Sequence, residues 1–261
     1  MKRSDYGKLV RLTKRYLEEE KIFGEPEIVL DAVPAKPRPA AVPSPVKTVH
    51  APRLRPAPAA SPVPAAPPQT LDDFRKKVAG CTKCPLGTTR HTLVFGAGNE
   101  KAAVMFIGEG PGCDEDQQGE PFVGEAGQLL TRIIESIGLT RESVYITTLV
   151  KCHPMVDPSD PKKYGNERPP APEEIAACLP YLETQITLIR PRVLCTLGTW
   201  ASRTLLRTEE PIGKLRGKFH DCNGTKLLPT YHPAALLRNA ALKKDVWEDM
   251  KMLKKELAGK Q

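Results

Sequence analysis

The sequence predicts an α/β fold, with a central, mainly parallel sheet between two layers of helices and a disordered segment ahead of it. Three observations predict it. Apolar runs of strand length, Ala102–Ile107 and Val193–Leu197, alternate with helical periodicities such as Ala126–Ile137. A strand that is apolar at every position has both faces covered, as parallel strands beneath helices do. Unusual loops follow the strands, and sheets of this class gather ligand groups at their carboxyl ends.

The elements follow in order. Residues 1–31 carry Tyr6, Leu9, Val10, Thr13, Tyr16 and Leu17 at helical spacing, with seven basic and seven acidic side chains. They read as a short amphipathic helix that docks on the main domain or engages a protein partner. Residues 32–70 are rich in proline and alanine: 12 of the 27 prolines lie between Pro34 and Pro68. That stretch has five Lys or Arg and no Asp or Glu. It cannot bury enough apolar surface to offset chain entropy, so it is expected to be a disordered, semi-rigid basic linker.

From residue 71 to 261 the pattern is that of the α/β domain. Ala102–Ile107 is a buried strand ending in GEGPG. Ala126–Ile137 is a helix stopped by Gly138. Val144–Val150 is a β-branched strand running into KCHP. Glu173–Leu188 is a helix that Pro180 is expected to break or kink. Val193–Leu197 is a strand, Lys226–Thr230 another that runs into HPAALLRN, and Asp245–Leu257 a closing helix.

Composition narrows the class. The net charge is +8, but the linker contributes +5 and residues 71–261 only +3. A nucleic-acid site would therefore be a local patch. No run approaches the roughly 18 apolar residues of a membrane span, and the N-terminus lacks the apolar core of a secretory signal. The seven cysteines do not form a secreted framework, so a reducing cytoplasm is expected, where clustered thiols bind metal. Cys81 and Cys84 form a C-x2-C pair, which offers two thiolates to one ion or cluster. Counting thiols does not separate zinc from iron–sulfur. Cys195 reads as a core residue and Cys222 as part of a turn.

Taken together, CTKCPLG, GEGPG-x-x-ED, GEPFVGEAGQLL, VYIT-x-LVKCHP, RPPAPEEIAAC, KLRGK and YHPAALLRN resemble the family 4 uracil-DNA glycosylases. The resemblance runs in order from about Leu71 to Leu257. It implies a [4Fe–4S] cluster held by Cys81, Cys84, Cys152 and Cys178, although the 25 residues between the last two exceed the family's usual spacing. It also implies a glycosylase that flips uracil from single- or double-stranded DNA and hydrolyses its bond to the sugar. The protein is expected to act as a monomer.

The resemblance implies roles for individual residues. His232 would donate to uracil O2 as charge develops there. Phe122 would stack on the base. Related families place a water-positioning Asp where Gly110 stands, so Glu109, Glu115 or backbone carbonyls would hold the water, and Glu115 could instead lie beside C5. Leu236 would fill the gap left by the flipped base. Arg238, Lys214 and Arg216 would contact phosphates. Thr148 stands where the family has an Asn that reads the uracil edge. That substitution keeps two other readings open: a non-catalytic iron–sulfur DNA-binding protein, or a glycosylase for another deaminated base.

Overall fold

The computed structural model describes residues 70–163 and 166–259. The amphipathic helix expected in residues 1–31 and the linker of 32–70 lie, but for Thr70, outside the described residues.

The chain begins with α1 (Leu71–Val78), whose first turn is capped by the Thr70 hydroxyl accepting the Asp73 N–H. A short α2 (Leu86–Thr89) follows the C-x2-C pair. Then come β1 (Ala97–Gly98), β2 (Val104–Gly108), α3 (Cys113–Gln118), α4 (Glu125–Ser136) and β3 (Tyr145–Thr148). The second half is α5 (Pro172–Ile189), β4 (Val193–Leu197), α6 (Thr199–Leu206), α7 (Ile212–Leu215), β5 (His220–Cys222), β6 (Thr225–Thr230), α8 (Pro233–Arg238) and α9 (Leu242–Ala258).

The strand order is β1-β3-β2-β4-β6-β5. The four central strands are parallel and fully buried at nearly every position, as their unbroken apolar runs predict. The two edges are antiparallel. Strand side chains alternate between two cores. Val104 and Phe106 of β2 meet Leu130, Ile133 and Ile134 of α4 and Met250 and Leu253 of α9. Met105 and Ile107 point the other way, to Phe74 of α1, Leu182 of α5 and Ala201 of α6. Burying each such side chain contributes about 1.5–3 kcal/mol, and the result is three layers.

Two local expectations change. Of the break or kink expected at Pro180, the break does not occur: helix α5 continues through it. Its inner face buries Cys178, Leu182, Gln185 and Ile189, and that burial outweighs the roughly 3 kcal/mol an interior proline costs. Cys222 ends strand β5, and the turn proper is Asn223-Gly224, both at positive φ, which joins β5 to β6 as a tight hairpin. Cys195 lies in the core of β4, as expected.

Candidate active site

The carboxyl ends of β2, β3, β4 and β6 open into one cleft of about 650 Å³. Glu109, Gly110, Glu115, Phe122, Thr148, His232 and Arg238 all line it. Residues from 109 to 238 in the chain thus converge because parallel strands deliver every following loop to the same edge.

His232 is the N-cap of α8. Its Nδ1 accepts the Ala234 N–H at 3.2 Å. An acceptor nitrogen carries no hydrogen, so the neutral ring is the tautomer with hydrogen on Nε2. Burial, and then the nearby Arg238 guanidinium, pull its pKa down to about 4. At neutral pH the ring is therefore an uncharged donor. The Phe122 ring lies 5.6 Å from it between centroids, tilted by 33°.

Phe122 is held by its loop at φ 55°, a conformation that a bulky residue adopts only when its surroundings enforce it. Here Arg141 donates to the carbonyls of both Pro121 and Phe122, at 2.7 and 2.9 Å. Gly127 leaves space for the same carbonyl: a Cβ there would lie 1.9 Å from Phe122 O. Gly108, the last residue of β2, lies under the ring, and a Cβ there would meet Phe122 Cζ at 2.5 Å.

The two carboxylates differ. Glu115 is a loop organiser: one oxygen accepts from Gly112 N, the other from Val123 N and Gly124 N, all within 3.0 Å. Both its oxygens are engaged with backbone, so the water-holding role expected of it is not favoured. Glu109 accepts the Trp200 N–H at 3.0 Å, and burial pushes its pKa up despite that bond. Gly110 abuts Val150 and Pro154, leaving no room for an acidic side chain without adjustment.

Thr148 is fully buried at the end of β3, and its hydroxyl donates to Val150 O at 2.7 Å. Its hydrogen is thereby committed, and the oxygen is left as an acceptor.

Two of the expected DNA contacts are occupied within the protein. Leu236 is 1% exposed and part of the core against α4 and α9. Leu237, one residue on, is 41% exposed. Arg216 is engaged within the protein: it donates to both oxygens of buried Asp249, at 3.0 and 2.8 Å, and pairs with Asp245. Asp249 also accepts from Thr230. That guanidinium is structural, whereas Lys214 and Arg238 are exposed.

The four cysteines singled out for metal line a separate small cavity with Lys83, Lys151 and Tyr181. Three of the sulfurs accept hydrogen bonds. Tyr181 donates to Cys81, Arg90 to Cys152 and the Lys151 N–H to Cys178, at 3.2, 3.5 and 3.3 Å. Burial pushes Cys152 up to about 11 and raises Cys178 as well. Among the described residues, no three His, Cys, Asp or Glu side chains are grouped to hold a single metal ion. Four thiols around one cavity are a donor set that suits either an iron–sulfur cluster or a tetrahedral ion. Beside them His153 is buried, with neither ring nitrogen hydrogen-bonded.

The uracil DNA glycosylase superfamily model matches residues 95–251. A type-4 uracil-DNA glycosylase of Saccharolobus solfataricus is 47% identical over 199 residues, 73% of this chain and 88% of that one. The type-4 enzyme of Thermotoga maritima is 42% identical over 190 residues, 71% and 94% of the two chains. The chain belongs to the type-4 uracil-DNA glycosylases. A type-5 enzyme of Pyrobaculum aerophilum is more distant, at 28% identity over 198 residues. Among the residues of this type-4 glycosylase that sequence reasoning missed, Arg141 gave no signal, because the carbonyls it clamps are about twenty positions away. Gly127 and Gly108 could have been flagged as glycines beside a strained aromatic loop.

Proposed function

We propose that this protein excises uracil from DNA by hydrolysing the C1′–N1 bond, leaving an abasic site for repair. The observation that carries this is the neutral His232, whose Nδ1 is tied to the Ala234 N–H so that Nε2–H is left to donate. Breaking the bond sends its electron pair into the base, and charge gathers on O2. A fixed neutral donor there strengthens only as that charge appears, so it favours the transition state over the ground state. Phe122 supplies the stacking face. The Thr148 oxygen accepts from uracil N3–H; cytosine has a lone pair at that position and would be repelled. Glu109 orients the water and takes its proton as oxygen adds to C1′. Leu237 follows the extruded base into the stack, and Arg238 with Lys214 holds phosphates.

Cys81, Cys84, Cys152 and Cys178 would hold a [4Fe–4S] cluster, which would supply no group to the hydrolysis and would tie the segment before β1 to the loops beside the cleft. The reading is tested by incubating the protein with single- and double-stranded oligonucleotides containing one uracil, followed by alkali. Strand scission at the uracil, and none at thymine or cytosine, is expected. Iron and sulfide analysis of anaerobically purified protein should give four of each per chain, since one cubane contains four irons and four sulfides. Intact oligonucleotides in the presence of that cluster would favour a non-catalytic DNA-binding protein.

A further inference from the structure

Lys151 is 1% exposed, among the largest fully buried side chains of the described residues. Its Nζ donates to Thr147 Oγ1 at 2.6 Å and to Thr148 O at 2.7 Å. Both acceptors are neutral. Thr147 is itself fixed, donating to Phe95 O in a buried network that includes Gln185 and Tyr145. Among the described residues no carboxylate pairs with Lys151, and its side chain lies at the cavity lined by Cys81, Cys84, Cys152 and Cys178. A buried ammonium without an anion is strongly unfavourable. The cavity it lines would offer that charge once the four thiols are thiolates.

The backbone makes the same connection. The Lys151 N–H donates to Cys178 Sγ, and Cys152 is the next residue. On the other flank Arg90 reaches Cys152 Sγ and Cys81 O. A doubly positive iron–sulfur core with four thiolates is a dianion, and these two cations match it.

We propose that Lys151 is a positioning residue that couples the cysteine site to the wall of the base cleft. It is the interior counter-cation of the cluster, and the same ammonium holds the carbonyl of Thr148. The inference rests on the cluster reading above. Losing the cluster would leave the ammonium without its anion and loosen the end of β3. There Leu149 N and Val150 N bond to Gly108 O and Glu109 O, so the disturbance would reach the loop that carries Glu109.

The test uses full-length protein purified anaerobically. Lys151→Met should retain iron but shift the cluster to a more negative reduction potential, because removing a nearby cation disfavours the added electron. Iron release to a chelator should quicken by about tenfold or more, the size expected for one charge at short range in a partly screened interior. Thr147→Val removes an acceptor and keeps the charge, so its potential should stay at the wild-type value. An unchanged potential in iron-loaded Lys151→Met would overturn this inference alone, whereas wild-type protein without iron would overturn the cluster reading along with it. Hydrogen exchange on the wild type supplies a measurement that needs no variant. Chelating the iron should speed exchange at Leu149 and Val150 while β4 and β6 stay protected. Unchanged exchange at those two amides, or equal loss of protection throughout the sheet, refutes the coupling.

Discussion

Replacing His232 separates a transition-state donor from a structural histidine. The folded ring titrates near 4 rather than 6.5, through burial first and Arg238 second. Two and a half units correspond to about 3 kcal/mol. The unfolded chain takes up a proton between pH 6.5 and 4 that the folded ring refuses, so this group's contribution to stability is intact above 6.5. It falls by up to about 3 kcal/mol as pH drops towards 4. In urea unfolding, His232→Gln should lose less stability than wild type across that window. The catalytic consequence has a different pH signature. The active form is neutral, so single-turnover uracil excision should be insensitive to this group from about pH 5.5 to 8. His232→Ala should slow excision by roughly 10²–10³ at constant DNA affinity, the usual effect of losing one pre-aimed donor. A silent His232→Ala, or an excision rate that titrates with a pKa near 6.5 belonging to this ring, would refute the reasoning.

Other expectations follow from the same geometry. Leu236→Ala should cost about 2–5 kcal/mol in denaturant unfolding because it empties core space. Leu237→Ala should leave stability within about 0.5 kcal/mol and slow excision from double-stranded more than from single-stranded DNA. Arg216→Ala leaves Asp249 buried with Thr230 as its remaining side-chain partner, so a loss of about 3–5 kcal/mol is expected in thermal unfolding. Its salt dependence of DNA binding should match wild type, whereas Lys214→Ala should lower that slope by about one. Gly108→Ala should displace the Phe122 ring and reduce excision on the order of tenfold to a hundredfold, with the fold retained by circular dichroism.

The parts of the fold that could be read in sequence are those where one physical demand dominates. β2 and β4 are covered on both faces, so they had to be apolar throughout; the sequence pattern marks β4 to the residue and β2 to within two residues. β1 and β5 have two and three residues, too few for any alternation to register. Site residues were legible where chain order determines position, as for His232 and Thr148 immediately beyond or at a strand end. Pairing is what the sequence conceals. Asp249 lies 33 positions from Arg216, and nothing near KLRGK announces it. Leu236, expected as the wedge, is buried by helical phase: with α8 starting at Pro233 it falls one turn on and inward, while Leu237 is rotated towards solvent. Lys151 was passed over as part of a loop because a lysine between a strand and a cysteine ordinarily faces water.

The short antiparallel strands at both margins of the sheet have a consequence for life in a crowded solution. A parallel sheet ending in a long, straight strand exposes a row of unpaired N–H and C=O groups on which another chain can grow. Here each margin is closed by a strand of opposite direction, β1 ending in glycine and β5 turning back through a tight hairpin. Neither offers the five or six residues that a stable added strand needs. Copies of the chain at high concentration therefore find, among the described residues, no long free edge on which to pair.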